Sequence, residues 1–397
     1  MGRFPDNMTF AAILSASRAS SDSPAALRAT LHFAGQTLVE YQARQAVRAG
    51  ADRIMILVSV ITPAISQAVD RLSADGIAVA LIRDMVSMVR DAPRDADVLL
   101  VADGAVVAQG HYDALAGQAG NALLVTDDSR ASAPFERIDA GQRWAGLARI
   151  NPALLFGTLD MIGDWDLALT LVRSAVQGGA VRITVPQDDL LEGRVALVDG
   201  QEQADLAAQA VMSTGTRSGS SSRGGIEHYL FGPLARLLGP ALMRSQVPAM
   251  QVRIGSIALA GIALMPLELG WPGTGISLLL LALLLAELAD RLDEMALRRP
   301  PSGWIAFLAP GLTLIGVMLS GSGMVPNYLA LLLGIITVAD RWRRTGAARP
   351  WMIFTPGTAL LVLLAALLTG AEAFGFDVAM LAAIGSIGAI ILSRRGG

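Results

Sequence analysis

Six apolar segments follow one another between residues 254 and 392, and no soluble core absorbs so many. They run approximately Ile254–Leu269, Ile276–Ala289, Trp304–Leu319, Met324–Ala339, Met352–Leu368 and Val378–Leu392. Each lies near or just below the short end of the range for a spanning helix. The competing reading is the helical core of a large soluble protein. Six such segments in succession leave too little polar surface to cover them. Over the whole chain 53% of residues are hydrophobic, only 16% are charged, and the mean hydropathy is +0.51. Those values lie outside the soluble norm.

The arginines orient the segments. The chain has no lysine, so all 31 basic side chains are arginine. Arg291, Arg298 and Arg299, then Arg341, Arg343, Arg344 and Arg349, and finally Arg394 and Arg395 fall in alternate loops and the tail. The loops around Glu268, Gly321 and Glu372 carry none. The positive-inside rule therefore predicts a multi-pass protein of a bacterial-type inner (plasma) membrane, with the N-terminal domain and the C-terminus cytoplasmic. The opening Met-Gly-Arg-Phe-Pro-Asp-Asn has no apolar signal core, which agrees. Trp271, Trp304, Trp342 and Trp351 stand near segment ends as interface anchors. Gly255, Gly261, Gly334, Gly385 and Gly388 permit close helix packing, within the chain or in a homodimer.

The first half has a different texture. Phe10–Leu14, Arg53–Val58, Ala78–Ile82, Val98–Val101 and Leu123–Val125 read as strands. Amphipathic stretches such as Thr37–Ala49 and Ile65–Ala74 separate them, and Asp164–Val176 is a further helix. Strands alternating with helices predict a parallel sheet with crossover helices, an α/β domain over residues 1–212. Residues 213–225 form a flexible linker by composition. Residues 226–247 read as an amphipathic helix in the lipid interface, interrupted at Pro233 and Pro240. The all-α membrane domain occupies 248–397.

With no cysteine, the chain excludes disulfides, thiolate metal sites and cysteine nucleophiles. The formal charge of -3 points to no nucleic-acid partner. His32, His111 and His228 are scattered, without metal-ligand spacing. Asp127-Asp128 and Asp188-Asp189 read as solvated loop pairs. Glu136-Arg-Ile-Asp139 with Arg143-Trp-Ala-Gly-Leu-Ala-Arg149 is a dense charged patch, read as a loop leading into a helix rather than the lining of a cleft.

One charged run stands out. Asp290-Arg-Leu-Asp293-Glu-Met-Ala-Leu-Arg298 closes the second apolar segment. Charges at a membrane surface need partners. Asp290 and Asp293 share a helix face and could hold one hard cation. The plainer reading is a set of helix-end charges in which Asp290, Arg291, Asp293 and Arg298 pair among themselves at i,i+3 and i,i+4.

The order of soluble α/β domain, interfacial helix, six spans and acidic motif resembles bifunctional proteins in which a nucleotidyltransferase domain is fused to a CDP-alcohol phosphotransferase domain. That family's membrane motif reads D-x-x-D-G-x-x-A-R, then eight residues, then G-x-x-x-D-x-x-x-D. Asp290 and Asp293 match its first two aspartates and Arg298 its arginine. Glu294 and Leu297 replace a glycine and an alanine, and Phe307, Gly311 and Ile315 stand where the second half has Gly, Asp and Asp. The resemblance implies Mg²⁺ on Asp290 and Asp293, phosphate at Arg298, and partners of the CDP-alcohol, CTP and membrane-lipid kinds. In the first half, His32 to Ala51 resembles the "gG-x-x-L-I-e-y-q … aG" stretch of sugar-type nucleotidyltransferases. Val98-Leu-Leu-Val-Ala-Asp103-Gly104 resembles their strand ending in a metal-binding aspartate, which implies a metal at Asp103. Asp103 by itself reads as a turn residue before Gly104. Ala12-Ile-Leu-Ser-Ala-Ser-Arg18 stands for their nucleotide-binding opening, with Arg18 in the place of its arginine but without its glycines. Phospholipid or polar-lipid head-group synthesis follows as one expectation. The missing carboxylates favour a second, an inactive scaffold or regulatory partner of an active lipid-synthesis enzyme.

Overall fold

The computed structural model describes residues 10–159, 166–218, 249–298, 304–342 and 353–392. The chain falls into two compact units, one of residues 1–216 with 296–298 and one of 217–295 with 299–397.

The first unit is an α/β domain. Its strands are β1 (Phe10–Ala16), β2 (His32–Phe33), β3 (Gln36–Thr37), β4 (Ala51–Val58), β5 (Ala78–Ile82), β6 (Val98–Val101), β7 (Ala105–Val107), β8 (Ala122–Asp127), β9 (Glu136–Arg137), β10 (Gln142–Ile150), β11 (Val181–Thr184) and β12 (Val195–Leu197). Its helices are α1 (Leu38–Arg48), α2 (Pro63–Ala74), α3 (Met85–Asp91), α4 (Gln109–Ala116), α5 (Pro152–Leu159), α6 (Leu167–Gln177), α7 (Gln187–Leu191) and α8 (Gln201–Ser218). The main sheet has the order β11-β8-β10-β6-β1-β4-β5, with β9 paired to β10. Strands β6, β1, β4 and β5 are mutually parallel, and β11 is parallel to β8.

The predicted strands all form, two of them, β5 and β6, with the expected bounds. Strand β10 differs from expectation. The charged patch was expected to lead from a loop into a helix, but residues 142–150 run antiparallel between β6 and β8. Leu147 and Ala145 enter the core on one side of the sheet, and Trp144, Ala148 and Ile150 enter the core on the other. A strand covered on both faces loses the alternation that marks a half-exposed one. The arginines that bracket it are held by ion pairs. Arg149 is buried and donates to Asp97 at 2.8 Å, and Arg143 donates to Asp128 at 2.7 Å.

Entry into α1 shows how local signals and packing combine. Ala34 and Gly35 both take positive φ, which turns β2 tightly into β3. Thr37 then forms a capping box with Glu40. Glu40 is fully buried and also receives Arg71 of α2 at 2.7 Å. The sequence expectation of a linker from residue 213 meets a helix: α8 continues to Ser218. The remaining linker residues and the predicted interfacial helix at 226–247 lie outside the described residues.

The second unit is helical: α9 (Ala249–Ile262), α10 (Leu264–Glu268), α11 (Pro272–Met295), α12 (Ile305–Leu319), α13 (Val325–Trp342), α14 (Pro356–Leu368) and α15 (Glu372–Leu392). These cover the six apolar segments, with the first broken into α9 and α10. Pro266 accounts for the break, because it has no N–H to offer the carbonyl of Ile262. Among the described residues, three stretches are long and apolar enough to cross a membrane: Ala249–Glu268, Pro272–Glu294 and Glu372–Ile391. The helices 307–319, 325–339 and 356–368 are apolar but shorter. Trp271 and Trp304 stand exposed at helix ends. Tight glycine approaches fall elsewhere than expected. Gly255, Gly261, Gly385 and Gly388 face open space, whereas a Cβ on Gly316 would lie 2.2 Å from Leu279 Cδ1.

Candidate functional site

In a parallel sheet, ligands approach the carboxyl ends of the strands. Here that edge carries the residues after β1, β4, β5 and β6. Asp103 follows β6 by two residues and is 6% exposed. Its Oδ2 accepts the backbone N–H groups of Ser17 and Arg18, each at 2.7 Å. Its Oδ1 is buried and has no hydrogen-bond partner. Burial pushes the carboxyl up to about 6, against the pull of the two backbone donors and of the Arg28 and Arg18 guanidiniums. The turn that presents it is fixed. Gly104 has φ +78°, and a Cβ there would lie 2.3 Å from the carbonyl oxygen of Val198. Only glycine fits both demands. Asp103 is thus a turn residue before a glycine, and it also ties β6 to the loop after β1.

That tie has a chemical consequence. Successive backbone N–H groups at a strand end can cradle an anion. In this chain the amides of Ser17 and Arg18 are taken by an internal carboxylate. Arg18 itself is half-exposed and reaches Asp166, the N-cap of α6, at 3.3 Å. Arg28, which sequence reasoning passed over, donates through Nε to the carbonyl of Ala19 at 3.2 Å. Its Cδ lies 3.5 Å from the position of a Cβ on Gly104. The two arginines thus flank the Asp103 turn.

The second candidate lies on α11. Asp290 and Asp293 do share a face, but neither pairs with Arg291, which turns to Glu287 at 3.2 Å. The helix stops at Met295 and Leu297 adopts φ +54°, so Arg298 lies beyond the helix and not on its i,i+4 face. Both carboxylates converge on Arg253 of α9. Its Nη2 is 2.5 Å from Asp290 Oδ1 and 3.0 Å from Asp293 Oδ2. Arg253 is 6% exposed and Asp293 is also buried. The expected mutual pairing of helix-end charges is replaced by a cross-helix clamp. Arg253 stands one residue before the apolar segment as read from sequence. It is the only charged residue from 249 to 267, and an arginine in such a setting needs an internal partner. That signal could have found it.

A divalent metal needs several oxygen donors converging at about 2.0–2.6 Å. Among the described residues no group of three or more His, Cys, Asp or Glu is placed to provide them. At Asp290 and Asp293 a guanidinium already occupies the shared face. At Asp103 one oxygen is committed to backbone donors and two arginines stand nearby. The residues present therefore do not fit the Mg²⁺ sites that the resemblance implies.

The remaining candidates resolve into structural pairs. His111 bonds Asp189 at 2.7 Å, and Arg194 reaches the same aspartate at 2.9 Å. Asp128 receives Arg137 and Arg143, and Asp139 receives Arg182. The backbone of His32 exchanges two hydrogen bonds with Gln201, each at 2.9 Å. His228 lies outside the described residues.

No family model matches the chain, and no curated protein matches it in sequence. Among solved structures, it is similar to the inositol-1-phosphate CTP transferase from T. maritima, at 14% identity and TM-score 0.34, over 45% of this chain and 85% of that one. It is similar to a UDP-glucose pyrophosphorylase complexed with UDP-glucose, at 8% identity and TM-score 0.34, over 43% and 88%. It is also similar to a nucleotidyl transferase from Methanothermobacter, at 16% identity and TM-score 0.37, over 52% and 100%. The chain carries an α/β domain with a mostly parallel sheet, followed by a helical region of apolar, membrane-compatible helices.

Proposed function

We propose that this is a multi-pass protein of a bacterial-type inner membrane, descended from nucleotidyltransferase–CDP-alcohol phosphotransferase fusions, that no longer transfers phosphate. It serves instead as a scaffold or regulatory partner of an active lipid-synthesis enzyme. The carrying observation is the character of α12. Phe307 and Ile315, which stand where the resembled motif has a glycine and an aspartate, are 42% and 44% exposed. Among the described residues of α12, the buried ones are Ala309, Thr313, Gly316 and Val317. The helix thus offers no carboxylate inward and points its motif positions outward. Phosphoryl transfer depends on metals that neutralise developing charge and on a base that takes the alcohol proton. Asp290 and Asp293 alone provide neither. The α/β domain keeps Arg18 and Arg28 at the sheet edge, where a nucleotide such as CTP would meet them. The arginine distribution supports a cytoplasmic N-terminal domain and C-terminus.

The test is CMP release by the purified chain in lipid nanodiscs, supplied with CDP-alcohols and Mg²⁺. Release at the level of empty nanodiscs is expected. Turnover that disappears in Asp293→Ala overturns the reading.

A further inference from the structure

Two carboxylates three residues apart on a helix repel one another unless a cation lies between them. In this protein the cation is supplied from another helix. Arg253 of α9 places one nitrogen, Nη2, 2.5 Å from Asp290 Oδ1 and 3.0 Å from Asp293 Oδ2. All three side chains are largely shielded, at 8%, 18% and 10% exposure. A second polar tie joins the same helices nearby. Ser256, three residues on from Arg253, donates to the carbonyl of Ala282 at 2.8 Å. The backbones of α9 and α11 are therefore held close on this side, and Arg253 has little freedom to swing away.

We infer that Arg253 is the resident cation of the Asp290–Asp293 pair, a tethered guanidinium that takes the place of a divalent metal and locks α9 to α11 without one. A guanidinium stays charged at every accessible pH. Being covalently attached, it cannot be diluted away, and its fork geometry suits carboxylate oxygens. A metal bound to these two oxygens would lie within a few Å of it, so the two cations exclude each other. Displacing the guanidinium would also strand a buried charge, which is strongly unfavourable. The neighbouring arginine on the same helix, Arg291, is turned to Glu287 instead. This inference concerns which cation the pair holds and goes beyond the loss of catalysis. A chain that released CMP through other groups would leave it standing, and a silent chain that bound metal here would overturn it alone.

The experiment is a Mn²⁺ titration of the full-length chain in nanodiscs of zwitterionic lipid, following the resonance of free Mn²⁺. Wild type is expected to bind no more Mn²⁺ than the Asp290→Asn/Asp293→Asn double variant. Arg253→Met is expected to gain one Mn²⁺ per chain and to lose it when Asp293→Asn is added. A wild-type chain that binds one Mn²⁺ more than the double variant overturns the inference, as does a folded Arg253→Met chain that gains none. Should Arg253→Met not fold, wild type decides. Its melting temperature is expected to be the same in Mg²⁺ and in EDTA, and a rise in Mg²⁺ that the double variant lacks overturns the inference.

Discussion

Replacing Asp103 by asparagine isolates the cost of one buried charge. Burial pushes the carboxyl from its ordinary 3.8 up to about 6 in the folded chain. Between those values the folded state holds a proton that the unfolded state has released. Stability from this group is therefore fully present below pH 3.8 and is lost as pH rises through 6. The difference corresponds to about 3 kcal/mol, fully expressed above pH 7. Asparagine keeps an oxygen for the Ser17 and Arg18 amides and carries no charge. Its amide nitrogen falls where Oδ1 is buried without a partner, which returns about 1 kcal/mol of cost. Asp103→Asn is thus expected to stabilise the domain by about 1–3 kcal/mol at pH 8 and to make little difference at pH 4. Urea denaturation of the detergent-solubilised chain, followed by tryptophan fluorescence at several pH values, measures this as the difference between the two proteins. A difference that does not change with pH, or a wild type that gains on the variant as pH rises, would refute the reasoning.

Three further outcomes follow from the packing. Glu40→Gln is expected to destabilise the α/β domain by about 3 kcal/mol, because it removes a buried carboxylate that pairs with buried Arg44 at 3.5 Å and with half-exposed Arg71 at 2.7 Å. Burial would raise the Glu40 carboxyl, but hydrogen bonds from Arg71 and Thr37 outweigh it and hold it below 4.5. Its contribution is present above pH 4.5 and lost as pH falls through the folded-state value, so the penalty of Glu40→Gln shrinks in acid. Gly316→Ala is expected to cost about 1–3 kcal/mol through collision with Leu279, and adding Leu279→Ala should make the alanine at 316 less harmful, read as thermal loss of helical circular dichroism. Gly104→Ala combines a left-handed backbone, worth about 1–2 kcal/mol, with the Val198 carbonyl clash. It is expected to lower the melting temperature of the domain more than Gly76→Ala, where the added Cβ meets open space.

The legible parts of this fold are those whose signal is local. Strands β5 and β6 are short apolar runs bounded by polar turns, and their predicted ends agree with the structure. The capping box before α1 and the six apolar segments are local in the same sense. Strand β10 was hidden because its identity rests on distant partners. Arg149 looks like a surface charge until Asp97, 52 residues away, is placed beside it. Arg253 was hidden for a similar reason, since its partners lie 37 and 40 residues downstream. Asp290 and Asp293 were visible as a shared face, but a sequence does not show which cation comes to that face. Asp103 was visible as the residue after a buried strand. Its engagement with Ser17 and Arg18 depends on β1 and β6 being neighbours, which only the sheet order shows.

The chain neutralises the Asp290–Asp293 pair with its own arginine. Diffraction from crystals soaked in Mn²⁺, recorded at the manganese absorption edge, examines that place directly. No anomalous peak is expected between α9 and α11, with Arg253 in contact with both carboxylates. A peak within about 2.5 Å of Asp290 and Asp293, with Arg253 swung aside, would contradict the account.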